Sequence, residues 1–130
     1  MTQAEFKQLP YLLLRHQVVA CGYGRAQLDK FVDCGVLRRV QLTGLEQHRY
    51  QKKQLAELLG WGELLEAADF LAEPPLLAVK AAQRWTGLSD TVLAQVRSAG
   101  GLTFVKPPGA GNGKFLKREI AGLIGFEKFI

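Results

Sequence analysis

The chain has 130 residues, 48% hydrophobic and 22% charged, the composition of a chain that folds rather than stays disordered. Nowhere does an apolar run reach the roughly eighteen residues that a membrane helix needs, and the first five residues lack the basic start and apolar core of a secretion signal. Seventeen Lys and Arg against twelve Asp and Glu leave a formal charge of +5, which suits a polyanionic partner.

In chain order, residues 1–9 read as a short polar helix with Phe6 and Leu9 as its apolar contacts, broken by Pro10. Residues 11–14 lead into a helix that ends near Cys21. Gly22 and Gly24 then make a turn, and the next helix carries Leu28, Phe31 and Val32 on one face. Arg25, Gln27, Asp29 and Lys30 fall outside that face, and Gly35 stops the helix. Residues 38–42 read as a strand, 43–47 as a turn around Gly44, and 48–50 as the return strand. A helix over 52–59 turns Leu55, Leu58 and Leu59 inward. After Gly60, Trp61 and Gly62, residues 63–72 read as one more helix with Leu64, Leu65, Ala68 and Leu71 on one side. Glu73, Pro74 and Pro75 end it.

Shifted by 65, the chain lies on itself without a gap. Pro10 meets Pro75, Leu12 meets Leu77, and Gly22, Leu28 and Gly35 meet Gly87, Leu93 and Gly100. Leu37, Val40 and Gly44 meet Leu102, Val105 and Gly109, and Lys52, Ala56, Leu58 and Gly60 meet Lys117, Ala121, Leu123 and Gly125. These are 12 identities over the 52 positions 10–61, placed on turn glycines and helix core positions. The second half therefore has its own helix over 90–99, N-capped by Ser89. Its strands lie over 102–106 and 114–116, around a Pro- and Gly-rich loop. The expected organisation is a first lobe over 1–62, a connecting helix and linker over 63–74, and a second lobe over 75–130. Lobes of this size are marginal alone. Trp61, Phe70, Trp85 and Phe126 are available to weld them into one two-lobed unit or a dimer.

Catalytic and cofactor motifs are absent from this pattern. The loop from Gly109 to Lys114 has neither the spacing nor the hydroxyl of a phosphate-binding loop. Cys21, Cys34, His16 and His48 match no zinc spacing, and the two cysteines read as buried and reduced. The expectation is a binding protein, not an enzyme, with no cofactor and no metal.

The order helix, turn, helix, hairpin, helix resembles the winged helix-turn-helix of the MerR and excisionase family. The matching residues are Gly22 in the turn, Gly35-Val36-Leu37 into the first wing strand, Arg49-Tyr50 in the second, and the leucine-rich helix 55–59. Where that family has a Ser or Thr helix cap, this chain has Leu13. The resemblance implies a mainly α fold with small β-hairpin wings, present as a tandem pair. It also implies binding of double-stranded DNA, with the second helix in the major groove and the wing on phosphates. Arg25, Gln27 and Lys30 would then face bases, and Arg38, Arg39, Arg49, Lys52 and Lys53 would meet phosphates. In the second lobe the corresponding set is Thr91, Gln95, Arg97, Lys106, Asn112, Lys114, Lys117 and Arg118. Asp90 stands where the first lobe has Arg25, so the first lobe is expected to read sequence and the second to dock, orient or dimerise.

Such a protein would be cytoplasmic and nucleoid-associated. Three roles share the resemblance: a recombination directionality factor beside an integrase, a transcriptional regulator, or the DNA-recognition subunit of a packaging machine. Unlike a full MerR regulator, the chain shows no long coiled-coil helix and no effector domain. The competing expectation is a tandem winged-helix module that binds a protein or RNA within a larger complex, through Leu42, Leu45, Val92, Phe104 and Val105. A continuous cationic patch favours DNA, and a large apolar patch at that place favours a protein partner.

Overall fold

The computed structural model describes all residues except Tyr23, Ala110 and Ile130, together with the side chain of Phe129. It is a mixed α/β structure, about half helical, with a three-stranded antiparallel sheet in each half of the chain. The first half runs α1 (Gln3–Lys7), β1 (Leu12–Leu13), α2 (Arg15–Val19), α3 (Arg25–Asp33), β2 (Arg39–Gln41), β3 (His48–Gln51) and α4 (Lys52–Leu59). The second half runs α5 (Ala67–Leu71), β4 (Leu76–Leu77), α6 (Val79–Thr86), α7 (Asp90–Ser98), β5 (Phe104–Val105), β6 (Lys114–Leu116) and α8 (Lys117–Ile124). Among the described residues, no helix is long and apolar enough to cross a membrane.

Sheet content is higher than expected because β1 and β4 complete each hairpin as a third strand, in the orders β1-β3-β2 and β4-β6-β5. Each is two leucines after a proline, too short to show an alternating pattern. The helix expected over 63–72 is broken. A 3-10 turn covers Gly62–Leu64, Leu65 is extended, and α5 begins after Glu66. The Glu66 amide at this break donates to the Tyr11 hydroxyl at 2.7 Å. Leu14, not Leu13, caps α2, and the Gln17 side chain supplies what a hydroxyl would have supplied in reverse, accepting from the Leu14 amide at 2.8 Å. Ser89 caps α7 as expected, its hydroxyl accepting from the Val92 amide at 3.2 Å.

The two halves repeat each other, but not in one register. From α3 onward the offset is 65: α7 follows α3, β6 follows β3, and α8 follows α4. Before the turn it is 64. Leu12 pairs with Gln51 and Leu76 with Leu116, while Leu13 pairs with Tyr50 and Leu77 with Phe115. At that offset α5 is the counterpart of α1, so Phe70 repeats Phe6 and Ala68 repeats Ala4. The segment expected to be a connector is the first helix of the second unit. The slip occurs because α6 continues to Thr86 and closes on Gly87, whereas α2 stops at Val19.

Lys52 and Lys117 show the repetition in atomic detail. Lys52 Nζ donates to the carbonyls of Lys7 and Leu9 at 3.0 and 2.9 Å, near the C-terminal end of α1. Lys117 Nζ donates to Leu71 and Glu73 at 2.7 and 2.8 Å, near the end of α5. Each ammonium also lies over the phenylalanine of the helix it holds, Phe6 at 5.4 Å and Phe70 at 5.7 Å. A helix C-terminus presents unpaired carbonyls and partial negative charge, and a lysine answers both.

Two apolar clusters form the core. Phe6, Leu13, Val18, Leu28, Leu37, Tyr50, Leu55 and Ala56 centre the first. The second holds the buried residues of the second half together with Tyr11, Leu12 and Leu42 from the first. Tyr11 packs 5.4 Å from Trp85 and 5.2 Å from Phe126, and Phe70 lies 5.1 Å from Trp85. Trp61, one of the four aromatics expected at the weld, instead meets Phe6 at 5.2 Å inside the first half. The seam is tight. A Cβ on Gly87 would lie 2.2 Å from Pro10 Cβ, and one on Gly44 would lie 2.7 Å from Ala99 Cβ. Gln51 adds a hydrogen bond across it to the Leu123 carbonyl at 3.0 Å.

Candidate nucleic-acid interface

An open groove of about 770 Å³ lies between the starts of α2 and α3 and the first hairpin. Arg15 and His16 enter it from the first turn of α2, Arg25 from the first residue of α3, Arg39 from β2, Glu46 and Gln47 from the hairpin turn, and His48 from the start of β3. Strand pairing explains why Arg39 is there. It sits opposite Tyr50, and paired residues share a sheet face. The Tyr50 ring fills the first core, so Arg39 projects beside it along the groove.

Asp29, one turn along α3 from Arg25, holds two of these arginines. Its Oδ1 accepts from Arg15 Nη2 at 3.2 Å and lies 3.9 Å from Arg39 Nη2. All three side chains are close to half exposed, so these pairs are weak in energy and act mainly on orientation. Arg25 pairs with no carboxylate among the described residues, and its fork is free to donate.

Of the base-facing set, Arg25 lines the groove, and Gln27 and Lys30 are exposed on α3. Of the phosphate set, Arg39 lines the groove and Arg38 is exposed beside it. Three members are engaged within the chain. Lys52 is 1% exposed and tied to α1, so it cannot reach a phosphate without unfolding its surroundings. Burial lowers its pKa from the ordinary lysine value, opposed in part by Glu66. Arg49 pairs with Val40 on the sheet face opposite Arg39, the face turned to the second half. Its Nη1 is buried without a hydrogen-bond partner, and burial lowers its pKa. Lys53 is ion-paired to Glu57 at 3.0 Å, with its stem beside Gly125 at the seam.

The hairpin turn is engaged as well. Expected to lie along a phosphate backbone, it packs on α7 instead. Leu42 is buried in the second cluster, with Val40 and Leu45 against it. Thr43 Cβ lies 2.8 Å from the Cβ position of Gly101. The Leu42–Leu45 side of the turn meets the second half, while Glu46 and Gln47 remain on the groove side with Arg39.

A second groove of about 680 Å³ occupies the same place in the second half. Lys80 and Gln83 of α6, Asp90 of α7, Phe104 and Lys106, and Gly111 through Lys114 line it, Asn112 and Lys114 included. Thr91 and Gln95 are exposed on α7, although the Gln95 carbonyl faces Gly44. Arg97 lies over the Phe104 ring at 4.3 Å. Lys117 is held by α5, and Arg118 is exposed near Pro75 and Leu76, away from the groove.

Arg15, His16, His48 and Lys80 were absent from the expected binding set. The usable signal was position: Arg15, His16 and Lys80 fall in the first turn of the helix after the Leu-Leu strand, where side chains point past the helix start. The cysteines are both free, but Cys34 is exposed and Cys21 half-buried, contrary to the expected burial. Burial raises the Cys21 pKa. Comparison with family models, with curated protein sequences and with solved structures gives no match.

Proposed function

We propose that the chain is a small, non-enzymatic double-stranded DNA-binding protein built as two tandem winged helix-turn-helix units. The observation that carries this reading is the convergence of Arg15, Arg25 and Arg39 on one groove from three separate elements. Planar guanidinium forks suit phosphate and guanine edges, and arginines that start helices beside a hairpin can follow a duplex backbone. In this reading Arg25 reads a base, Gln27 and Lys30 contact the groove edges, and Arg15, Arg38 and Arg39 hold phosphates. The role is that of an excisionase-like recombination factor or a transcriptional regulator.

A module for an apolar protein partner has less support. Leu42 is buried, and Leu45, Val92 and Phe104 pack against the second core cluster, so these side chains already serve contacts within the chain. The test is a gel-shift series with random-sequence duplex DNA at two salt concentrations. The reading expects a retarded complex at low salt that weakens steeply at higher salt. Absence of any complex at micromolar protein would reject it.

A further inference from the structure

The second groove was expected to be the weaker one, because Asp90 replaces Arg25. Its lining reverses that expectation. Lys80, Lys106 and Lys114 face one carboxylate, Asp90, whereas Arg15, Arg25 and Arg39 in the first groove face two, Glu46 in the lining and Asp29, which pairs with Arg15 and Arg39. Counting Lys, Arg and these carboxylates alone, the second groove carries a formal +2 and the first +1. The cations of the second groove are all lysines, compact charges without a planar fork, which suit phosphates and discriminate poorly between bases.

The second groove is also firmly built. Gly113 is buried, and a Cβ there would overlap the Phe104 ring, its nearest ring carbon 2.1 Å away. That ring meets Phe115, 4.9 Å between centroids and tilted by 60°, and the Arg97 guanidinium lies over it at 4.3 Å. The hairpin therefore has a fixed aromatic base, and Gly111 and Gly113 leave its mouth open. Meanwhile the first hairpin turn covers the C-terminal end of α7, at Ala99 and Gly101. The seam through Tyr11, Gly44 and Gly87 ties the two grooves into one body, each with its own cations.

We propose that the second groove is a second, independent binding site for a DNA backbone, so that one molecule holds two duplex segments. The site takes duplex phosphates without sequence preference, and the first groove supplies selectivity. This rests on the DNA-binding reading of the first groove.

The experiment is saturation stoichiometry with a short fluorescent duplex, read by analytical ultracentrifugation, on the full chain and two triple variants. One carries Lys80→Gln, Lys106→Gln and Lys114→Gln, and the other Arg15→Gln, Arg25→Gln and Arg39→Gln. Circular dichroism and thermal unfolding of each variant confirm that the fold is kept. Should a triple variant unfold, Lys80→Gln with Lys106→Gln, and Arg15→Gln with Arg25→Gln, replace them. The expected result is two duplexes per chain for the parent and one for each variant, with sequence preference kept only by the lysine variant. One duplex per chain for the parent, unchanged by the lysine substitutions, overturns the second site and leaves the first standing. One duplex per chain that both variants weaken overturns the independence, since both grooves then serve one duplex. No binding by the parent overturns the DNA reading itself, and the second site with it.

Discussion

Lys52→Met separates two roles for one residue, phosphate contact and structural tie. Methionine keeps the length and apolar volume of the side chain but removes its charge and donors. Two hydrogen bonds to carbonyls, at 3.0 and 2.9 Å, disappear, along with the ammonium over Tyr11 at 4.7 Å and Phe6 at 5.4 Å. Hydrogen bonds from a charged donor contribute about 1.5–3 kcal/mol each, and a cation–aromatic contact about 0.5–2. Water can reach the freed Lys7 carbonyl, because that residue is exposed, and removing the buried charge returns some desolvation energy. The net expectation is a loss of about 3 kcal/mol, or roughly 10 °C in Tm for a chain of this size. Lys117→Met removes the equivalent tie from a more exposed site and should cost about half as much.

The assay is urea unfolding of parent and variants, with duplex affinity measured in parallel over a salt series. Burial lowers the Lys52 pKa, so between the lowered value and the ordinary 10.5 the unfolded chain binds more protons than the folded one. Stability from this group therefore rises with pH in that alkaline window, and Lys52→Met should abolish this rise. If Lys52→Met leaves stability within about 0.5 kcal/mol of the parent and instead reduces the salt slope by about 1, the lysine is a phosphate contact and the reasoning fails.

Three further outcomes are expected. Arg25→Ala should cost about 1–3 kcal/mol on a selected site and relax preference at one base position, read by selection from random duplexes. Asp29→Asn removes the carboxylate shared by Arg15 and Arg39 and should tighten non-specific binding about two- to fivefold at low salt, by fluorescence anisotropy; weaker binding would mean that Asp29 chiefly scaffolds the arginines. Gly87→Ala places a Cβ against Pro10 at a φ of +72° and should cost about 2–4 kcal/mol, whereas Gly35→Ala, at +77° with nothing nearby, should cost only about 1, both by thermal unfolding.

Most helices and the return strands were legible because their signals are local; the break between Leu64 and Ala67 was not. Turn glycines, the Ser89 cap and the spacing of Leu28, Phe31 and Val32 each fix an element without tertiary help. The repeat was legible too, but its slip was hidden. Pro74-Pro75 and Leu76-Leu77 are doublets, so Pro10 and Leu12 find identical partners at either offset. Ala4 and Phe6 against Ala68 and Phe70 would have revealed the offset of 64.

The candidate site was legible only in part. Exposed cations on α3 follow from helical phase, but the facing of β2 and β3 depends on which side of the sheet meets the second half. That contact put Arg49 on the seam and Arg39 in the groove. The inward turn of Lys52 depends on α1, whose carbonyls it caps from 43 and 45 positions away. No sequence window of ordinary length contains both partners.

The most direct measurement of the central claim is the affinity of the parent chain for random-sequence duplex DNA as a function of salt. Three phosphate-holding arginines, Arg15, Arg38 and Arg39, predict a slope of log K against log salt of about −3. A flat dependence, or no binding at low salt, would contradict the assignment of this groove to DNA.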